Sequence, residues 1–273
     1  MEASDAIEMT RLADPEYTAG GPSKGRVANF SPDGKRFVVA LRKGNLEKNA
    51  NEFSLLLFES SKVFSTPARD VLFTMASSSN RDAIKHLRWL NDNETLAFIG
   101  ETPGSLPQIY TFSTRTRRLQ QRTHHATGVN GYDITGDGRE IVFIADPPPS
   151  GAGEDTRIQR QGIFIEGQTL PDLMAGTYHQ QPSEAQQLFL LKRGRTAVQI
   201  PTADSISGDA PVSLSKDGRY ALIGAYVRDV PISWMSYTDS LIRRFVTESG
   251  QHKRDSNLTR YLLLDCWSGS GAI

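Results

Sequence analysis

Ser31-Pro32-Asp33-Gly34-Lys35, leading directly into Arg36-Phe37-Val38-Val39-Ala40, is the stretch from which the fold is read. Pro32 presets φ for the second position of a type I turn, and Asp33 can hydrogen-bond the nearby backbone. Gly34 supplies the left-handed conformation that closes a three-residue hairpin through a bulge. The signal recurs. Leu90-Asn91-Asp92-Asn93-Glu94 leads into Thr95-Leu96-Ala97-Phe98, and Thr135-Gly136-Asp137-Gly138-Arg139 leads into Glu140-Ile141-Val142-Phe143. Ser215-Lys216-Asp217-Gly218-Arg219 leads into Tyr220-Ala221-Leu222-Ile223. In the second copy Asn93 stands where the others have glycine, and asparagine tolerates positive φ next best. The strands that follow are rich in β-branched and aromatic residues.

The four aspartates are separated by 59, 45 and 80 residues. A period of this size, built from short strands, marks a β-propeller or a related array. Each turn-plus-strand is followed by a pairing partner: Phe53–Phe58, Gln108–Phe112, Gln187–Leu191 and Arg260–Leu264. Each partner ends in a polar turn, such as Ser113–Arg117 or Lys192–Arg195, so the unit approaches the four strands of a blade. The expected fold is all-β, a partial propeller of about four blades. Residues 1–26 read as a lead-in with a short helix over Asp5–Leu12, and residues 27–273 as the propeller region. Two insertions break the period. One spans 146–185, with Pro147-Pro148-Pro149; the other spans 228–258, with Trp234 and Tyr237. Insertions of this size sit on one face of a repeat array and often carry binding. Closed propellers need roughly four to eight blades, so a fragment of a longer array is expected.

Apolar residues make up 38% of the 273 and charged residues 23%, which places the chain among foldable globular sequences rather than disordered ones. Thirty-one cationic side chains balance 31 anionic ones, leaving no electrostatic case for nucleic acid or an anionic membrane. No apolar run approaches the ~20 residues that span a bilayer. Met1-Glu2-Ala3-Ser4-Asp5 is acidic and has no apolar segment behind it, so it does not read as a signal peptide. The single cysteine, Cys266, cannot form an intrachain disulfide. It reads as a small apolar residue ending a strand rather than as a nucleophile, since no activating base lies near it in sequence.

Taken together, Asp5–Arg11, Gly25–Val39 and Leu41–Glu47 through Ser54–Leu57 resemble the N-terminal propeller of the prolyl oligopeptidase family of serine peptidases. The likeness is to bacterial members of the dipeptidyl peptidase IV type and covers most of residues 5–265. It implies a propeller that gates access and selects peptides for a following α/β-hydrolase domain with Ser, Asp and His. It also implies an exported, periplasmic or cell-envelope setting and no cofactor. The chain contains neither that hydrolase domain nor the double-glutamate motif with which some dipeptidyl peptidases hold a substrate's amino terminus.

Candidate chemistry is sparse. Gly21-Pro22-Ser23-Lys24-Gly25 matches G-x-S-x-G as a string, but a nucleophile elbow needs a strand before the serine and a helix after it. Here Pro22 precedes Ser23 and Arg26–Phe30 reads as a strand, so Ser23 belongs to a lead-in loop. His86, His124, His125, His179 and His252 include no pair at i, i+4, and no metal site is read from them. Glu154 and Asp155 could clamp a cationic amine, but read as a solvated loop tip. Arg115, Arg117 and Arg118 could bind a carboxylate or phosphate, but read as a solvated hairpin turn. Phe30 and Trp89 precede their turns at equivalent positions and read as repeat core, while Trp234 and Tyr237 stay open. An Asp-box glycosidase reading fails, because Gly34, Gly138 and Gly218 follow aspartate directly. The expected set of catalytic, cofactor and metal residues is empty. Two rivals to a gating propeller stand: a TolB-like propeller that recruits a protein, and a propeller hydrolase with a metal in its central channel, which predicts inward-facing Asp, Glu, His or Asn on several innermost strands.

Overall fold

The computed structural model describes residues 2–13, 27–65, 70–78, 82–147, 186–202, 206, 212–226, 232–240 and 259–267. The chain forms four antiparallel sheets in sequence order. The first contains β1 (Arg11–Leu12), β2 (Asn29–Phe30), β3 (Arg36–Asn45), β4 (Ala50–Glu59) and β5 (Asp70–Ser77). The second contains β6 (Ile84–Trp89), β7 (Thr95–Gly100), β8 (Gln108–Ser113) and β9 (Leu119–Gln121). The third contains β10 (Val129–Ile134), β11 (Glu140–Ala145), β12 (Gln187–Lys192) and β13 (Val198–Ile200). The fourth contains β14 (Ser213–Leu214), β15 (Tyr220–Tyr226) and β16 (Thr259–Asp265). The second to fourth are plain meanders, and no described strand of the fourth pairs with the first, so the array is open. A short helix α1 (Ala3–Glu8) precedes β1, and β1 pairs with β3 at Leu12↔Leu41.

The Asp turns recur with the same hydrogen bonds. Gly34, Gly138 and Gly218 have φ of 68°, 71° and 74°, and Asn93 has φ of 58°. The N–H of each donates to the carbonyl three residues back, on Ser31, Thr135, Ser215 and Leu90. Closure differs from the expected three-residue hairpin. The Ser31 N–H donates to the Arg36 carbonyl at 2.8 Å, so four residues lie between the paired ends, and the other copies do the same. Side chains explain the extra residue. The Lys35 N–H donates to Asp33 Oδ1 and the Arg36 N–H to Ser31 Oγ, which satisfies amides that a tighter turn would pair with backbone. Leu90 has no hydroxyl. There Asp92 Oδ1 accepts both the Glu94 and Thr95 amides, and Thr95 donates its own hydroxyl to Asp92 Oδ2 at 2.6 Å.

Three apolar clusters lie between successive sheets, and strand alternation explains them. In β7, Leu96 and Phe98 face the first sheet while Ala97 and Ile99 face the third. In β11, Ile141 and Phe143 face the second sheet while Val142 and Ile144 face the fourth. Strands buried on both faces read as continuous apolar runs, as these do. The residue before each turn packs back onto the preceding sheet: Trp89 joins the first cluster and Ile134 the second. Phe30 departs from the expected core role and is 55% exposed. No described sheet lies before the first, and the Phe30 ring packs on Phe37 of its own sheet, with centroids 5.1 Å apart.

Both insertions fall at the same place in the repeat, between the second strand of the Asp hairpin and the strand after it. Pairing reaches Asn45↔Ala50, Gly100↔Gln108, Ala145↔Gln187 and Tyr226↔Thr259 before each connection begins. The connections therefore span four, seven, 41 and 32 residues, and all leave the sheets at the end opposite the Asp turns. Of the second insertion, a 3-10 turn over Ile232–Ser236 is described; Trp234 is half-buried and Tyr237 exposed.

Candidate functional site

The strands that lead into the Asp turns, β2, β6, β10 and β14, which are the first strands of their Asp hairpins, are joined from sheet to sheet by polar contacts. Asn29 donates from Nδ2 to the Leu87 carbonyl at 2.6 Å, and Trp89 Nε1 donates to the Asn29 carbonyl at 2.9 Å. Arg88 forms an ion pair with Asp133 across the second and third sheets. Asp133 is buried, and its Oδ2 accepts the Leu214 N–H at 2.6 Å, which reaches the fourth sheet. Its Oδ1 accepts the Ile134 N–H at 2.8 Å. Tyr132 donates its hydroxyl to the His86 carbonyl at 2.9 Å, and burial pushes its phenol pKa far above the ordinary range. Asn29, Arg88 and Asp133 thus form one polar seam through all four sheets.

At the Asp-turn end a second set of contacts interlocks neighbouring hairpins. The Asp33 N–H donates to Asn93 Oδ1 at 2.9 Å, and the Asn91 N–H to the Gly136 carbonyl at 2.8 Å. Arg36 donates to the Asn93 carbonyl and lies over the Trp89 ring, 5.8 Å from its centroid. Each turn carboxyl sits below its usual pKa. For Asp33, Asp137 and Asp217 the main cause is the hydroxyl of Ser31, Thr135 or Ser215 at 2.6–2.7 Å. For Asp92, burial raises the pKa but is outweighed by the Thr95 hydroxyl and the Glu94 and Thr95 amides.

Two clefts open between the second and third sheets. At the Asp-turn end a cleft of about 430 Å³ is bordered by Arg118, Arg122 and Arg193 together with Asp92 and Asp137. At the insertion end a smaller one of about 160 Å³ is bordered by Lys85, His86, Asn130 and Asp146. His86 has φ of 50° where the β6–β7 register shifts. Desolvation of its ring and the neighbouring Lys85 charge hold its pKa below the ordinary value, although the residue keeps solvent contact.

The residues singled out in the sequence are scattered by the fold. Arg115 donates to Glu94 at 2.7 Å, and Arg117 donates twice to Asp70, at 2.7 and 2.5 Å, tying the β8–β9 turn to the first sheet. Of that trio, Arg118 borders the larger cleft. Its neighbours there, Arg122 and Arg193, carry no motif and come from different sheets. His124 Nδ1 meets the Gln121 amide at 3.1 Å. His125 hydrogen-bonds Thr127 at 3.0 Å and packs on Phe189, with centroids 4.5 Å apart. Cys266 is buried in the third cluster, as its strand-end reading expects, and burial raises its thiol pKa to about 11. Ser23, Glu154, Asp155, His179 and His252 lie outside the described residues. Among the described residues, His, Cys, Asp and Glu side chains form no group of three able to hold a metal, and no helix is long and apolar enough to cross a membrane. First-strand polar residues do occur, as the propeller-hydrolase reading requires, but Asn29 and Asp133 are engaged in joining sheets.

No protein-family model matches the chain. It is 22% identical over 225 residues to a Bacillus subtilis (strain 168) protein named uncharacterized peptidase YuxL, covering 82% of this chain and 31% of that one. The chain therefore spans about a third of the length of that curated relative. Among solved structures, TolB from Acinetobacter baumannii matches with a TM-score of 0.43 and 14% identity, over 89% of this chain and 41% of its own. An acylaminoacyl peptidase matches with a TM-score of 0.49 and 11% identity, over 96% of this chain and 32% of its own. The β-propeller domain of a trilobed protease from Pyrococcus furiosus, described as having an open velcro topology, matches with a TM-score of 0.44 and 12% identity, over 88% of this chain and 54% of its own.

Proposed function

We propose that this chain is the non-catalytic propeller portion of a serine peptidase of the prolyl oligopeptidase type, and that it gates and selects peptides for an α/β-hydrolase domain. The division into a lead-in over residues 1–26 and a propeller over residues 27–273, and an exported setting, belong to the same proposal. The observation that carries it is the placement of the connections. Short interlocked hairpins form one end of the sheets, and every long connection departs from the other. A scaffold with one rigid end and one end of variable loops is suited to filtering what enters beside it. The match over most of this chain to a longer protein named a peptidase supports the reading. In the parent, hydrolysis would proceed by acyl transfer from an activated serine outside this chain.

The test uses the purified chain. Fluorophosphonate labelling and turnover of peptide p-nitroanilides should both be absent, while short peptides should bind and be weakened by shortening residues 149–184. Labelling with turnover would overturn the non-catalytic assignment. Tight capture of a folded protein with no affinity for peptides would replace gating with the TolB-like binding role.

A further inference from the structure

The larger cleft between the second and third sheets holds more cation than its surroundings use. Arg118 follows the β8–β9 turn, Arg122 follows β9, and Arg193 lies in the β12–β13 turn; all three border the same space. Among the described residues, the guanidinium groups of Arg118 and Arg193 have no hydrogen-bond or ion-pair partner. Arg122 spends one donor on the Gly138 carbonyl at 3.1 Å. Desolvation, and then the charge of Arg193, lower the Arg122 pKa, so the two cations lie close enough to repel.

The acidic residues of the cleft do not answer that charge. Asp92 gives Oδ1 to the Glu94 and Thr95 amides and Oδ2 to the Thr95 hydroxyl. Asp137 gives Oδ1 to the Thr135 hydroxyl and the Arg139 amide, and pairs with the Arg139 guanidinium through Oδ2 at 3.3 Å. Both carboxylates are engaged by their own turns. The chain as a whole is neutral, so this concentration of positive charge is local. Guanidinium groups present paired N–H donors that match carboxylate and phosphate oxygens two at a time. A volume of about 430 Å³ exceeds what one simple halide ion fills.

We infer that this cleft is a binding site for a small, multiply charged oxyanion, held by Arg118, Arg122 and Arg193 between the second and third sheets. Bound there, the anion bridges elements of two sheets and opposes their separation, independently of any peptide-gating role. Phosphate and carboxylate share the required chemistry, so pyrophosphate and citrate serve as separate probes. Calorimetric titration and thermal unfolding of the full chain are run at constant ionic strength set with sodium chloride. At least one probe should bind at about millimolar Kd or tighter and raise Tm by a few degrees at saturation. Pyrophosphate alone would identify a phosphate site, and citrate alone a carboxylate site.

Arg118→Gln, Arg193→Gln and their double variant remove groups with no folding partner, and Arg122 stays in place to keep its bond to Gly138. Each single change should weaken binding about 5- to 30-fold and the double change by more, corresponding to charge-assisted hydrogen bonds. Either single variant suffices should the double one fold poorly. Equal affinity in wild type and variants, reproduction of the Tm shift by sodium chloride alone, or no binding of either probe up to about 10 mM, a Kd near which binding is weaker than −3 kcal/mol, overturns the site.

Discussion

Replacing Asp133, the one carboxylate on β2, β6, β10 and β14, by alanine should weaken the joining of the second, third and fourth sheets and destabilise the chain. Asp133 is buried, with Leu214 N–H on one oxygen, Ile134 N–H on the other, and Arg88 paired to it from the neighbouring sheet. A hydrogen bond to a charged group is worth about 1.5–3 kcal/mol, and an abandoned buried donor costs about as much as the bond itself. The Arg88 side chain is 44% exposed and can return to water, so its share is discounted to about 0–1 kcal/mol. The Ile134 bond is local and adds little. The expected loss for Asp133→Ala is then about 2–4 kcal/mol. Asp133→Asn keeps a carbonyl acceptor for Leu214 and should lose about 1–2 kcal/mol. The assay is urea unfolding followed by far-ultraviolet circular dichroism, with exposed Glu47→Ala as a control expected within about 0.5 kcal/mol of wild type. With an m-value of about 3 kcal/mol/M, the alanine variant should shift its midpoint down by about 1 M. A double-mutant cycle with Arg88→Ala should give a coupling of no more than about 1 kcal/mol. An alanine variant within about 0.5 kcal/mol of wild type, or asparagine and alanine variants that are indistinguishable, would refute the seam as the element joining the sheets.

Asn93 combines a left-handed backbone with a bond to the first sheet, so its substitutions should separate the two roles. Asn93→Gly keeps the backbone and loses one bond, about 0.5–1.5 kcal/mol, whereas Asn93→Val adds the strain of a β-branched residue and should lose about 2–4 kcal/mol by the same urea assay. Acid should weaken the fold through the turns. The carboxyls of Asp33, Asp92, Asp137 and Asp217 have folded pKa values below their unfolded ones, so their contribution is full above an unfolded pKa of about 3.9 and is lost as pH falls through the depressed folded values. Urea midpoints measured from neutral pH downward should fall in that range, and the combined Ser31→Ala, Thr135→Val and Ser215→Ala variant should show a shallower fall. An equal acid dependence in that variant would count against the hydroxyls as its source. Replacing residues 149–184 by a short Gly-Asn linker should leave the β11–β12 pairing intact, with a urea midpoint changed by less than about 0.5 M. A collapse of the third sheet would show that the inserted segment supports it.

The hairpins were legible because their chemistry is local. Asp33, Gly34 and Asn93 act on amides two or three residues away, and the meander partners followed as alternating apolar runs. Three features were not legible. The fourth turn residue depends on Ser31 and Asp33 side chains competing with backbone for the amides of Lys35 and Arg36, a balance that type alone does not decide. Phe30 shares the pattern of Trp89 but has no described sheet to pack on, so burial differs where local sequence does not. The Arg88–Asp133 pair and the arginine cleft join residues from different sheets, and periodicity within one blade says nothing of what faces the next. Arg193 sat in a segment read only as a polar turn, whereas Arg118 was weighed as a carboxylate or phosphate ligand and read as part of a solvated turn.

The contrast between the two ends of the sheets follows from where free energy is committed. Each Asp turn satisfies its own amides with side-chain oxygens, and the first three also bond one another, so a changed length there breaks contacts within and between sheets. At the opposite end register is already set on both sides of each connection: Ala145 opposes Gln187 as squarely as Gly100 opposes Gln108. Closing 41 residues in place of four adds about 2 kcal/mol of chain entropy. The strand pair that brackets the longer connection buries Ile141, Phe143, Val142, Ile144 and Leu188, each worth about 1.5–3 kcal/mol when removed from water. Burial outweighs closure several-fold. The repeat can therefore vary its connections at one end while the seam of Asn29, Arg88 and Asp133 and the interlocked hairpins hold the sheets in place.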